Sequence, residues 1–205
     1  MKKIFLIVAL LCTDLFALFA QNKKFDYSSY KQIPSELIHQ DSLFKYIIPD
    51  KSYTYWECVE TSGVLLLNYG DVIFYKGNQP FGVSFKNPGY GFWGSPPYSK
   101  IYIPYIKDGE IGYVTSIDEL KTFIGDIDNF QEAILLAETS DAVRVDTDMK
   151  GGAYKETSNG YELVLMHYNN CPETYEAIHF TVENSKILKK ENLGVYKNPG
   201  GCWIY

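Results

Sequence analysis

Short apolar runs separated by turn-forming residues occupy most of the chain and predict β-strands. In the first half of the chain, segments rich in the aromatic and branched residues that strands favour lie at residues 53–55, 64–67, 72–75, 81–85, 101–106 and 110–115. The Asp108-Gly109 pair separates the last two of these runs and is the strongest hairpin signal in the chain. In the second half, the runs at 142–145, 154–157, 161–167, 175–182 and 187–189 predict an antiparallel meander.

Three segments carry the helical spacing of apolar residues. The first begins at Pro34 and ends before Pro49, with a mostly apolar stripe. The second begins with a capping-box pattern at Ser116 and ends at Gly125. The third has a cap pattern at Asp128 with Gln131 and is apolar nearly all round, which predicts a buried central helix.

These elements predict an α+β fold that is rich in antiparallel sheet and has about three short helices. At 205 residues, the chain is long enough for one domain or for two small ones packed together. We expect a signal peptide over 1–20, a helix with a β-rich region over 21–115, and a helical pair with a β-meander over 116–205. The last two segments allow two packed sub-domains.

The first twenty residues have the composition of a secretory signal peptide: a basic start, an apolar stretch and a small residue, Ala20. A membrane anchor is the alternative, but Asp14 interrupts the apolar run. Lipid attachment at Cys12 is a further hypothesis, but the residues before Cys12 are not the small ones that lipid attachment requires. We therefore expect a secreted or periplasmic protein, with no transmembrane segment after signal cleavage.

The composition of the chain argues against binding to nucleic acid. Acidic residues outnumber basic ones, 25 to 19, for a net charge of -6. Neutralising phosphates requires a basic face, and the chain has a single arginine, Arg144. Apolar residues make up 46% of the sequence, which suits a globular core and excludes a disordered chain.

Three cysteines remain if the signal peptide is removed, which predicts one disulfide and one thiol in an oxidising compartment. We favour the pair Cys171–Cys202, because both residues follow turn-forming residues in the C-terminal half, while the other two pairings stay open. Cys58 then carries the free thiol. We expect it to act as a small buried apolar residue; a nucleophilic role requires a histidine beside it, which the spacing does not provide.

The segment 87–100 stands apart, with three Gly, three Pro and four aromatic residues. Such a segment cannot continue a helix or strand, and long irregular loops often carry function. Aromatic rings stack on sugar faces and pack against protein partners. Tyr90, Trp93 and Tyr98 are our candidate ligand-binding residues, although the same rings can simply cover the core.

Other clusters point less clearly to chemistry. The turn at 146–152 has spaced aspartates but not the oxygen ligands that calcium needs, and His167 and His179 lack further zinc ligands. Glu57 and Glu60 can serve glycoside hydrolysis only if folding places their carboxylates on either side of one bond. We expect no metal and no cofactor, since no nucleotide-binding, nucleophile-elbow or zinc-protease motif occurs.

The sequence favours an exported, non-enzymatic module that binds an unknown protein or glycan partner through residues 87–100. The alternative is an extracytoplasmic hydrolase whose site is assembled from carboxylates, or from Cys58 and a histidine. A structural or inhibitory protein of the cell envelope is a third possibility, for which the sequence offers no positive sign.

Overall fold

The structure is a computed structural model. It describes residues 25–39, 41–49, 52–62, 69–94 and 99–202. Within these ranges no helix is long and apolar enough to cross a bilayer. The predicted signal peptide, the apolar run at 64–67 and Tyr98 lie outside the described residues.

In the described part of the chain, ten strands form two antiparallel sheets. The N-terminal sheet contains β2 (Tyr53–Ser62), β3 (Asp71–Gly77), β4 (Ser99–Lys107) and β5 (Glu110–Val114), in the order β3-β2-β4-β5. The C-terminal sheet contains β1 (Lys31–Gln32), β6 (Val143–Arg144), β7 (Gly152–Glu156), β8 (Gly160–Asn170), β9 (Glu173–Glu183) and β10 (Lys186–Lys197). Its order is β1-β7-β8-β9-β10, and β6 also pairs with β8. The protein is therefore sheet-rich and consistent with the predicted α+β class, although strands predominate.

The hairpin of β4 and β5 turns at the Asp-Gly pair that the sequence indicates. Asp108 and Gly109 have φ angles of 52° and 82°. Two-residue hairpin turns that match the twist of the strands need positive φ at both central positions, which Asp and Gly tolerate. The hairpin prediction is confirmed.

The predicted first helix is wrong in extent. A 3₁₀ turn at Ser35–Leu37 and a short helix α1 (Asp41–Phe44) replace one continuous helix. A continuous helix would put Asp41 on the same side as Leu37 and Phe44. The break leaves Asp41 exposed and lets Leu43 join the core beside Phe44.

Two longer helices follow the N-terminal sheet: α2 (Ile117–Ile124) and α3 (Phe130–Ser140). Ser116 and Glu119 form the predicted capping box of α2. The cap of α3, however, is Asn129 and not Asp128: the Asn129 side chain accepts the backbone N–H of Glu132 at 2.9 Å. The Asn129 amide also donates to the Tyr46 carbonyl at 3.0 Å, a tertiary contact that a local sequence pattern does not contain.

Two strand predictions also change. Residues 81–85 form no strand, because Val83 N–H donates to the Pro80 carbonyl and closes a turn. The last strand is far longer than the predicted 187–189, since β10 pairs with β9 along nearly its whole length.

One main apolar cluster lies between the sheets and contains α3. Trp56 and Ile103 contribute to it from the N-terminal sheet, and Leu165 and Phe180 from the C-terminal sheet. Residues 133–137 of α3 are all buried, as the apolar pattern predicts. The proposed boundary near residue 115 passes through this cluster, so packing of two separate sub-domains is not confirmed.

Candidate functional site

The structure gives Tyr90 and Trp93 different environments. Tyr90 is 75% exposed. Trp93 pairs with Ile101 as an isolated β-bridge, its ring lies edge-on to Phe44 at 6.1 Å, and the Arg144 guanidinium lies over it at 5.4 Å. These contacts tie the Trp93 ring to the edge of the core, while Tyr90 remains open to solvent. Tyr98 lies outside the described residues.

Of the three described cysteines, two form a disulfide and the third, Cys58, carries a buried thiol. Cys171 and Cys202 form a disulfide that links the β8–β9 turn to the chain after β10. Cys58 is fully buried, and burial raises the pKa of its thiol well above the ordinary value. Thiolate chemistry needs a lowered pKa and access to substrate, so this environment fits a structural thiol.

Glu57 and Glu60 lie on opposite faces of β2. From Tyr55 to Ser62, β2 keeps an unbroken register with β4. Side chains alternate along a strand, so positions three apart point to opposite sides. This pair therefore does not flank one glycosidic bond in the way that hydrolysis requires.

A buried carboxyl group lies on the outer face of the N-terminal sheet, the face turned away from the main cluster. Glu57 is only 5% exposed. The Tyr55 hydroxyl donates to its Oε2 at 2.5 Å, and the Tyr69 hydroxyl donates to its Oε1. Within the described part of the chain, no lysine, arginine or histidine forms an ion pair with Glu57. Burial raises the pKa of this carboxyl group, and the Tyr55 hydrogen bond opposes the rise.

A small aromatic cluster holds these two tyrosines in place. The Phe85 ring stacks with Tyr55 at 5.9 Å and with Tyr69 at 6.5 Å. The Tyr102 hydroxyl donates to the Tyr69 carbonyl and anchors that segment from β4. Gly70 follows with a φ of 106°, and a Cβ there would lie 2.6 Å from the Glu60 carbonyl oxygen. Glycine is thus required for the close approach of Tyr69 to the sheet.

Glu57 lies at the edge of an open groove of about 500 Å³, which we call the Glu57 groove. The residues that line it are Tyr55, Glu57, Val72, Tyr75, Gly77, Asn78 and Gln79. Tyr75 faces Glu57 across the β2–β3 pair and is 64% exposed. Gln79 donates to the Val83 carbonyl at 3.2 Å, which joins the rim of the groove to the turn that carries the fully exposed Phe81. The groove therefore combines an exposed aromatic ring, two side-chain amides and a buried carboxyl group.

The two strand histidines do not face each other. In the register of β8 and β9, His167 pairs with Glu176, and His179 pairs with Val164. The His179 Nε2 atom lies 3.2 Å from the Tyr30 hydroxyl and 3.6 Å from Glu162 Oε2, and burial lowers the pKa of this imidazole. Together these contacts hold the N-terminal segment against the C-terminal sheet. Among the described residues, no group of three or more metal-binding side chains occurs.

Sequence patterns alone missed most of the Glu57 groove. The alternation of Tyr55 and Glu57 on one strand face was a usable signal, because a carboxyl group beside aromatic residues on a half-buried face needs hydrogen-bond donors. Nothing local indicated that Tyr69 supplies one of these donors, since it is 12 residues away from Glu57 along the chain.

Comparison of the chain with protein-family models, with curated proteins and with solved structures finds no match. The function must therefore be inferred from the chemistry of the site.

Proposed function

We propose that this protein is a binding module for a neutral saccharide, and that the Glu57 groove holds the sugar. One observation carries the proposal: the buried carboxyl group of Glu57, which has no cationic partner among the described residues, lines the same groove as the exposed ring of Tyr75. Carboxylate oxygens can accept hydrogen bonds from sugar hydroxyls beyond those that Tyr55 and Tyr69 donate.

The other groups of the groove suit the same ligand. An aromatic face packs against the apolar face of a pyranose ring, and side-chain amides both donate to and accept from hydroxyl groups. Tyr75 supplies the ring, and Asn78 and Gln79 supply the amides. The groove is open to solvent, which suits one part of a glycan chain better than a small enclosed ligand.

Binding is better supported than hydrolysis. Hydrolysis of a glycosidic bond usually needs two carboxyl groups on either side of that bond. Glu57 is the one carboxyl group among the described groove-lining residues. Its two tyrosine donors hold it in a fixed orientation, which suits recognition.

An extracytoplasmic location is part of this proposal. The Cys171–Cys202 disulfide supports it, because such bonds persist in oxidising compartments and are rare in the cytosol. The signal-like composition of the first twenty residues points the same way.

The test is binding of the purified protein to a panel of neutral oligosaccharides, followed by calorimetry with the best ligand. Tyr75→Ala should weaken binding by about tenfold or more, because it removes the stacking surface. Glu57→Gln should also weaken binding, because an amide offers a single acceptor oxygen where the carboxylate offers two.

Tyr90→Ala is the matched control, since it removes another exposed tyrosine that lies outside the groove. It should leave the affinity unchanged. If Tyr90→Ala abolishes binding while Tyr75→Ala does not, the loop at 87–100 is the site instead. If no neutral oligosaccharide of the panel binds, the neutral-sugar proposal is wrong.

A further inference from the structure

A second cavity, which we call the His167 pocket, lies at the C-terminal end of α3 on the core-facing side of the C-terminal sheet. Its volume is about 330 Å³. The lining residues are Asp141, Ala142, Val143, His167, Glu176, Ile178, Lys190 and Asn192. Val143 and Ile178 are buried and form an apolar floor, and charged groups surround it.

Two groups of polar side chains form the walls of the His167 pocket. Glu176 Oε2 accepts a hydrogen bond from the Asn192 amide at 2.8 Å and lies 3.7 Å from His167 Nδ1. Lys190 Nζ lies 2.5 Å from Asp141 Oδ1. Each carboxylate is therefore held in place through one of its two oxygens.

The second oxygen of each carboxylate remains available. Among the described residues, no donor reaches Glu176 Oε1 or Asp141 Oδ2. Lys190 uses one of its three N–H groups on Asp141, so two are left for another acceptor. The pocket thus presents two free acceptor atoms and free cationic donors around an apolar floor.

We propose that the His167 pocket binds a small zwitterion, namely an α-amino acid with an aliphatic side chain. The ammonium group pairs with Glu176 and Asp141, the carboxylate pairs with Lys190, and the side chain packs on Ile178 and Val143. A ligand with one charge engages only the acids or only the lysine, whereas a zwitterion engages both, so both charges contribute to binding. The volume is near the lower end for small-molecule sites, which suits a ligand of the size of an amino acid.

This inference is independent of the saccharide proposal. The Glu57 groove lies on the outer face of the N-terminal sheet, and no residue lines both cavities. Failure of one proposal leaves the other standing.

The test uses the full exported chain with its disulfide intact, and two-dimensional ¹H–¹⁵N NMR spectra recorded during titration with L-leucine. We expect saturable shifts at residues of β6, β9 and β10, with a dissociation constant below about 1 mM. The half-ligands 4-methylpentanoate and 3-methylbutylamine should bind at least about tenfold more weakly. Absence of saturable shifts at about 10 mM leucine, or equal binding of either half-ligand, overturns the proposal.

Two variants test the assigned charges separately. Glu176→Gln keeps the shape but removes the partner of the ammonium group, and Lys190→Met removes the partner of the carboxylate. Each should weaken leucine binding by about tenfold, and Glu183→Gln on the same strand as Glu176 should not change it. Because Lys190 is half-exposed, its variant keeps the fold even if Glu176→Gln does not. Unchanged leucine affinity in Lys190→Met contradicts the proposal.

Discussion

Buried carboxyl groups are the chief residue-scale feature of this protein. Of the described glutamates, Glu57, Glu132 and Glu138 are 5%, 0% and 2% exposed. Burial is the main reason that their pKa values are raised, to about 7 for Glu132 and about 8 for Glu138. Glu132 accepts the backbone N–H of Ile48 at 2.7 Å, which ties the chain before β2 to α3. Glu138 Oε2 has no hydrogen-bond partner in the described structure, so its environment favours the protonated form.

The raised pKa values of Glu132 and Glu138 predict that these two groups make the fold less stable as pH rises. The folded chain holds their protons to about pH 7 and 8, whereas the unfolded chain releases them near the ordinary value of 4.5. Their contribution is therefore fully present below about pH 4.5 and is lost as pH rises through 7 and 8. Urea unfolding at about pH 5, 7 and 9 measures the slope.

Glu138→Gln should flatten this decline, because an amide does not titrate. Glu110→Gln removes an exposed glutamate and serves as the matched control, for which we expect the slope of the parent protein. A decline of the same steepness in Glu138→Gln and in the parent would show that Glu138 does not contribute.

At the scale of elements, the two longer helices begin in different ways. For α2 the cap is wholly local: the Glu119 carboxylate accepts the N–H groups of Thr115 and Ser116, at 2.7 Å and 3.0 Å. For α3 the cap residue Asn129 joins the helix to the turn after α1 through the Tyr46 carbonyl. The start of α3 is thus part of the tertiary structure as well as of the helix.

Loss of the α3 cap should therefore cost more than a local cap alone. Asn129→Ala removes the bond to Glu132 N–H and the bond to Tyr46, and we expect a loss of about 1–2 kcal/mol in the free energy of unfolding. Asn129→Asp keeps the first bond and should lose less. Chemical denaturation of both variants measures the difference.

Asp128→Ala is the control for this prediction, because Asp128 is adjacent and has the sequence pattern of a cap. Its substitution should cost less than Asn129→Ala. The reverse order would mean that Asp128 is the working cap in solution.

At the scale of the whole molecule, one apolar cluster joins both sheets, and a disulfide secures the end of the described chain. Cys171 lies in the β8–β9 turn and Cys202 follows β10, 31 residues later. The Glu173 N–H also donates to the Gly201 carbonyl at 2.9 Å. The chain after β10 is therefore held against the turn by covalent and hydrogen bonds together.

Removal of the disulfide should lower the stability of the whole fold. Closing a loop of this length lowers the conformational entropy of the unfolded chain. In the chain-entropy model this contributes about 3–4 kcal/mol to the free energy of unfolding. We expect the Cys171→Ser, Cys202→Ser double variant to unfold at a lower urea concentration than the parent.

The burial of Cys58 is tested by thiol labelling with iodoacetamide. In the native parent no described cysteine should react, and Cys58 should react after unfolding. Rapid labelling of native Cys58 would contradict its burial.

Local signals explain which parts of the fold the sequence predicts well. The Asp108-Gly109 turn and the Ser116 capping box act through neighbouring residues, so their outcome depends little on the rest of the chain. Prediction fails where contacts with other parts of the chain outweigh local preference. The first helix breaks so that Leu43 can reach the core, and residues 81–85 form a turn instead of a strand.

The candidate sites were less predictable than the fold. The composition of 87–100 pointed to aromatic residues, but Trp93 meets Phe44 and Arg144, which are far from it in sequence. The Glu57 groove and the His167 pocket each join side chains from several strands. Such sites depend on strand order and register, and no local spacing encodes either.

By itself, the sequence determined the sheet-rich class, the β4–β5 hairpin, the ends of α2 and the apolar character of α3, because each follows from the conformational preference and periodicity of adjacent residues. Only the tertiary structure decided that Glu57 is held by Tyr55 and Tyr69, and that two carboxylates and a lysine surround one cavity at the end of α3. The physical reason is that burial and hydrogen bonding depend on which surfaces meet when the two sheets close over a common core.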